Sequence, residues 1–336
     1  ALLTSAGVIS NGTTANSLVK AGNGLLRLNG NNTFTGGVTL NAGVLQIGGN
    51  TALGSGTLTI NGGGILPRVA TRTLANPVTV NANFDLGLNN ATTQLNFSGP
   101  IDLAGGSRNI NVIPTIANPS SNMTGVISSG GLVKSGAGSL ALTANSTYSG
   151  ETSVLDGSLR VQGSGAINSS SGITINGAAA NFVHTSSVAL TPVITLTQGT
   201  LESTGTVGTV NVADSATNIV SNGNGINTLT ATALNFAGAS TINVTTTATG
   251  SGISTGTLTT SGTDDAVVLN ISKTTPWSNG PNNLIGFGSF PSADINDFNF
   301  NLVSTPLLGA RQTMGDLVMN GDNIALNIIG TSIYWT

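Results

Sequence analysis

Two stretches of this chain are nearly the same sentence: Leu18 to Gln46 reads LVKAGNGLLRLNGNNTFTGGVTLNAGVLQ, and Leu132 to Arg160 reads LVKSGAGSLALTANSTYSGETSVLDGSLR. They align without a gap. Both keep Leu-Val-Lys, Gly22/Gly136, Gly24/Gly138, Leu28/Leu142, Thr33/Thr147, the aromatic pair Phe34/Tyr148, Gly36/Gly150, Gly43/Gly157 and Leu45/Leu159. The copies also close alike, at Thr59-Ile60-Asn61-Gly62 and Thr174-Ile175-Asn176-Gly177. A repeat of short β-type runs punctuated by glycine is the signature of stacked coils, in which each unit buries its apolar side only against a neighbour.

Working outward, the same pattern continues. Val38-Thr39-Leu40, Val44 to Ile47, Thr57 to Ile60, Val78-Thr79-Val80, Ile110-Asn111-Val112, Ile173-Thr174-Ile175, Val207 to Val212 and Thr241 to Val244 each alternate at period two, with Gly, Asn or Pro at the breaks. No amphipathic helix stands out. Runs of three to five residues suit the sides of a parallel β-helix better than the long faces of a sandwich. At about 20 to 25 residues a coil the chain holds about 14 coils, stacked over about 65 to 70 Å. Leu, Val and Ile are then expected to stack between coils, Asn at the turns to form ladders, and glycine to hold the corners.

Composition agrees with a folded chain that charge does not solubilise. Of 336 residues only 6% are charged and 47 are glycine, with 38% hydrophobic and a net charge of −3, whereas disorder needs low hydrophobicity and high net charge. Thr, Ser and Asn supply the polar surface. There is no cysteine, so thiolate metal sites and disulfides are excluded. No apolar run approaches the length of a membrane helix. The start at Ala1 reads as a mature form after removal of an export signal.

The end of the chain is built differently. Seven of the thirteen aromatics and half of the twelve acids follow residue 262, against Lys273 and Arg311 as the bases. Residues 1–262 are therefore expected to form a β-helix containing repeat copies at 18–62 and 132–177, and residues 263–336 a carboxyl-terminal solenoid end or an atypical cap or interaction section.

The repeat resembles the passenger-associated, or autotransporter-associated, β-strand repeat of exported bacterial surface proteins. The resemblance rests on Gly22-x-Gly24-x-Leu26-x-Leu28, Asn32-Thr33-Phe34-Thr35-Gly36, Ala42 to Ile47 and Ala52-Leu53-Gly54-Ser55-Gly56. Leu74 to Thr79, Phe97 to Ile101 and the tail from Leu307 to Thr336 are similar to segments that accompany such repeats. The resemblance implies an all-β fold, a single-stranded right-handed parallel β-helix or β-solenoid, on the cell exterior and without catalysis of its own. No series of ten-residue alternating strands marks an outer-membrane barrel.

Catalytic and ligand-binding chemistry finds little support. Glycoside hydrolysis needs two carboxyl groups about 5 to 9.5 Å apart; the nearest candidates are Asp264-Asp265, Asp294-x-x-Asp297 and Glu151 with Asp156, and the first two pairs read as solvated loop acids. His184, the one histidine, is expected on the surface or at a turn and excludes a multi-histidine metal site. Asp214, Asp264 and Asp265 are too sparse for a calcium roll. Gly22-Asn23-Gly24 and Gly62-Gly63-Gly64 lack the Gly-Lys-Ser/Thr of a phosphate loop, and nine scattered bases make no nucleic-acid patch. Asn-x-Ser/Thr triplets such as Asn11-Gly12-Thr13 follow from composition. Lys20 and Lys134 are expected to cover the adjacent coil with their stems, and Phe34 and Tyr148 to share one stacking position rather than a sugar platform. No cofactor or metal is called for.

Two functions remain: a building block that assembles into an extracellular fibre, sheath or surface layer, and an adhesin or passenger that binds glycans or a cell-surface partner. Scarcity of aromatics between residues 101 and 262 favours the building block. Its expected self-contacts are Ala1, Leu2 and Leu3 at one end and Ile324, Leu326, Ile328, Ile333, Tyr334 and Trp335 at the other, where apolar β-type edges invite another strand.

Overall fold

The computed structural model describes residues 2–87, 93–114, 121–223, 227–246, 251–261, 263–264, 266–273, 275–291, 294–303, 308 and 312–330. The fold is all-β, a parallel β-solenoid of about 11 turns, and among the described residues its one helical element is the 3-10 turn Ile295–Asp297. The chain divides into two compact units, residues 1–174 with 179–181, and residues 175–178 with 182–336.

In the first unit the short strands fall on three parallel columns. The first column is Leu18–Lys20, Val38–Leu40, Leu58–Ile60, Val78–Val80, Ile101–Asp102 and Ile127–Ser128, all parallel, with Leu18, Val38, Leu58, Val78, Ile101 and Ile127 in register. The second runs from Leu2–Ser5 through Leu25–Leu28, Val44–Ile47, Gly64–Pro67, Phe84–Leu86, Ser107–Val112 and Gly131–Ser135 to Thr152–Val154. The third is Arg72–Leu74, Leu95–Phe97, Ser121–Met123, Ser139–Leu142 and Ser158–Gly163. Alternation puts one set of residues inside: Leu26, Leu45, Ile65, Leu86 and Val112 form one aligned buried row. Burying each such side chain stabilises by about 1.5–3 kcal/mol.

The register places the two repeat copies on different columns. Leu18–Lys20 pairs with Val38–Leu40 in the first column, while its equivalent Leu132 to Lys134 pairs with Thr152–Val154 in the second. Likewise Leu25–Leu28 lies in the second column and Ser139–Leu142 in the third. The second copy therefore sits five coils on and one side further round, so the repeat is indifferent to which side of the coil carries it.

The second unit stacks two columns. One comprises Thr206–Val212, Leu229–Phe236, Ile253–Thr260 and the later part of Gly280–Ser289. The other comprises Ile219–Ser221, Ser240–Thr246, Val267–Lys273 and Phe298–Leu302. Ile194–Ser203 feeds both, through Ile194 to Leu196 and Thr200 to Glu202. Parallel stacking thus continues well beyond residue 263. Direction then reverses: Asn323–Gly330 pairs antiparallel with both Gly280–Ser289 and Gln312–Met319. About 11 turns replace the expected 14, because early coils advance by 20 residues but Val78 to Ile101 to Ile127 by 23 and 26, and the final strands add none.

Asparagine ladders join successive coils on the outside. Asn61 Nδ2 donates to Asn41 Oδ1 and Asn81 Nδ2 to Asn61 Oδ1, both at 2.8 Å. Asn235 and Asn211, and Asn270 and Asn243, repeat the contact at 2.8 and 2.9 Å.

Candidate functional site: lysine clamps and a carboxylate-aromatic depression

The lysine that opens each repeat faces inward, in register with aliphatic neighbours: Lys20 with Leu40, Lys134 with Ile110 and Val154. Its ammonium is satisfied by the corner that follows. Lys20 Nζ donates to the carbonyls of Ala21, Gly22 and Ala42 at 3.0, 2.6 and 2.9 Å. Lys134 Nζ donates to Ser135, Gly136 and Asp156 at 2.9, 2.6 and 2.9 Å. Three N–H groups thus meet three carbonyls that the turn directs inward. The turn needs left-handed backbone at Gly22 (φ 69°) and Gly136 (φ 71°). A Cβ on Gly43 would lie 2.6 Å from Lys20 Nζ and 2.4 Å from the Gly22 carbonyl, which explains that glycine's recurrence as Gly157. Lys134 is fully buried, and desolvation lowers its pKa to about 8, opposed by the charge of Asp156. The expected covering stem is thus the lesser part of the lysine's role.

Phe34 and Tyr148 both lie in the core, as a shared stacking position requires. At 1% exposure Tyr148 offers no platform to a sugar. Its hydroxyl reaches Thr152 Oγ1 at 2.8 Å, Thr152 reaches Ser170 Oγ at 3.0 Å, and Ser170 lies 2.9 Å from the carbonyls of Gly150 and Gly172. Burial holds the phenol well above its ordinary pKa.

His184 is corrected from a surface residue to a buried one. It lies in the strand Ile173–Ser186 beside Phe182 and Val183, and both ring nitrogens are engaged, Nδ1 with Ser203 Oγ and Nε2 with the Val188 carbonyl, each at 3.0 Å. Two internal partners offset the cost of burial, and desolvation lowers its pKa while the Val188 bond raises it.

The carboxylate pairs serve structure. Asp294 and Asp297 form a reciprocal capping box on the 3-10 turn, with Asn296 N donating to Asp294 Oδ1 at 3.1 Å and Asp294 N to Asp297 Oδ2 at 3.3 Å. Asp297, read as a solvated acid, is instead buried and accepts a hydrogen bond from Thr260 Oγ1. Glu151 accepts from Thr174 Oγ1, and Asp156 from its neighbour Gly157 N at 2.8 Å. Asp264 is exposed and Asp265 lies outside the described residues. Among the described residues no three His, Cys, Asp or Glu side chains converge.

Three of the depressions among the described residues bear on a site. One of about 460 Å³ beside Asn83, Asp85, Asn109, Asn111 and Ser135 and one of about 590 Å³ beside Asn29, Asn31, Asn50 and Arg72 lie on the first unit. In the former, Asn111 donates to Asp85 at 2.7 Å and Ser135 to Asn109 at 2.8 Å, so these groups already satisfy one another. The third, about 310 Å³ in the second unit, is lined by Asp264, Asn296, Asn299 and Asp316 with Phe298 and Phe300. Asp264 and Asp316 stand far apart in sequence, and only the compositional shift of the final section hinted at it.

Of the expected assembly residues, Leu2 and Leu3 are 57% and 68% exposed on a strand that pairs, among the described residues, with Leu25–Leu28. Ile324, Leu326 and Ile328 are buried, and their strand is paired along both edges. Ala1, Ile333, Tyr334 and Trp335 lie outside the described residues.

Comparison with known proteins agrees with this construction. Over 169 residues the chain is 30% identical to the Adhesin BmaC autotransporter of Brucella suis biovar 1 (strain 1330), a match covering 49% of this chain and 4% of that protein. The chain thus spans a small fraction of its relative's length. The passenger-associated-transport-repeat family matches residues 18–47 and 132–161, the two segments that each carry a lysine clamp. Residues 18–47 and 132–161 are thus two copies of the passenger-associated transport repeat.

Proposed function

We propose that the chain is a non-catalytic segment of an exported autotransporter passenger, held at the bacterial cell surface, where its solenoid presents adhesive contacts to a cell-surface or host partner. The observation that carries the reading is how the buried polar groups are used. Lysine ammonium, histidine ring and capping carboxylates are each tied to the chain itself, as a scaffold requires and an enzyme's reacting groups do not. The adhesive part is supported by the relative's description as an adhesin. The test is attachment: the chain displayed on a non-adherent bacterium is expected to raise binding to cultured cells over an empty display vector. Equal binding by both would sink the adhesive reading.

A second reading, self-assembly into a fibre, sheath or surface layer, is favoured by exposed Leu2 and Leu3 on a strand edge and by the low charge of the chain. Ile324, Leu326 and Ile328 are buried, so the opposing contact in this reading is the backbone edge of Gln312–Met319. Electron microscopy and sedimentation of the purified chain at high concentration test it, and a monodisperse monomer rejects it.

A further inference from the structure

The depression in the second unit differs chemically from the other two. Asp264 and Asp316 are both exposed on its rim, and among the described residues neither carboxylate has a hydrogen-bond or ion-pair partner. Among the described residues none that lines it is basic. The nearest cation in sequence to Asp264 within this section, Lys273, is engaged elsewhere, donating to Asn282 Oδ1 at 2.7 Å with its ammonium 4.4 Å from the Trp277 ring centroid.

The floor is aromatic and firmly held. Phe298 is buried, with its ring 6.2 Å from that of Phe290, which in turn packs 5.0 Å from Phe287. Phe300, two residues along the same strand, is half-buried and lines the opening. Phe298 and Phe300 therefore emerge on the same side of the strand.

Unpaired carboxylates and phenyl rings lining one depression select among ligands. A neutral sugar would stack on a ring but gain nothing from uncompensated negative charge. A divalent cation wants more oxygen ligands than two carboxylates and two amides provide in a converged shell. An ammonium satisfies the charge but is strongly hydrated and cannot stack. A guanidinium is planar, weakly hydrated, forks onto carboxylates and lies on aromatic faces. We propose that this depression binds an arginine side chain presented by a protein partner, with Asp264 and Asp316 taking the charge, Phe300 the flat face of the guanidinium and Asn296 and Asn299 the remaining N–H groups. The proposal rests on the adhesive reading above and gives it a contact point.

Titration of the full chain with N-acetyl-arginine amide, followed by calorimetry or NMR, tests it. At low ionic strength saturable binding near the millimolar range is expected, as for a single small cation. Asp264→Asn with Asp316→Asn should weaken it at least tenfold, Phe300→Ala several-fold, and 0.5 M salt, with a Debye length roughly one third of that at 0.05 M, should weaken the wild type as well. N-acetyl-lysine amide should bind more weakly than the arginine compound. Arginine binding unchanged in the double variant overturns the proposal. So does saturation of the same residues by a methyl glycoside or by calcium chloride in preference to arginine. Far-UV circular dichroism of each variant checks folding, and the exposed positions of both aspartates make loss of fold unexpected. The two readings fail separately: cell attachment that persists in the double variant removes this contact but leaves an adhesin, whereas no attachment by the wild type removes the adhesive role even if arginine binds.

Discussion

Replacing Lys134 with Met keeps the length and apolar bulk of the side chain and removes only its ammonium. The carbonyls of Ser135, Gly136 and Asp156, each 2.6–2.9 Å from Nζ, then lose their donor at a partly buried corner. A buried acceptor left unmade costs about 1–3 kcal/mol. Three at the low end, offset in part by no longer desolvating a charge, give a net loss of about 2–4 kcal/mol. For a unit of this size that is a fall in melting temperature of about 4–16 °C. The assay is urea and thermal unfolding by far-UV circular dichroism, with hydrogen exchange at the Leu155 amide, which donates to the Lys134 carbonyl at 2.9 Å, reporting locally. A change below about 0.5 kcal/mol, within the scatter of ordinary surface substitutions, would falsify the clamp as a stabilising device.

Glycine substitutions separate conformational strain from crowding. Gly22→Ala, at φ 69° with nothing within 4 Å of the new Cβ, should cost about 1–2 kcal/mol for the left-handed backbone alone. Gly43→Ala, at φ 72° with the Gly22 and Gly24 carbonyls at 2.4 and 2.5 Å, should cost clearly more in the same unfolding experiment. Acid should loosen the second unit through His184: its pKa is lowered in the folded state, so below the ordinary 6.5 the unfolded chain takes up the proton first and stability falls with pH. His184→Gln should flatten that slope, and an unchanged slope would assign it to other groups. Lys134 acts in the same sense in base. Between about 8 and 10.5 the unfolded chain keeps a proton the folded chain has released, so this group's contribution to stability rises with pH, a rise that Lys134→Met should abolish. Tyr148→Phe removes the first hydroxyl of the buried relay to Thr152 and Ser170 and should cost about 1 kcal/mol in urea unfolding.

Much of the fold was legible because it is local. Alternation in Val38-Thr39-Leu40 or Val78-Thr79-Val80 names the inward side chains without knowledge of any partner, and spacing of about 20 residues between such runs names the partner. Asparagine ladders followed from composition and stacking. What escaped reading depends on where a corner turns its carbonyls. A lysine flanked by Leu-Val and Gly reads as a stem laid over the adjacent coil until the turn after it is seen to fold back on the ammonium. His184 and Asp297 misled for the same reason: their partners, Ser203 and Thr260, lie 19 and 37 residues away and carry no recognisable motif. Asp264 and Asp316 meet across a depression only because Phe298–Leu302 joins the parallel column of Val267–Lys273 while Gln312–Met319 runs in the reversed hairpin.

The displacement of the second repeat copy by one side of the coil bears on how such chains lengthen. If the motif worked only at one place around the axis, a gene duplication would have to insert whole turns to remain foldable. Leu18–Lys20 and its equivalent Leu132 to Lys134 instead stack equally well on different columns, with matching clamp distances to within 0.1 Å. A copy therefore finds a usable berth at more than one corner, so a duplication need not insert whole turns to place its lysine clamp.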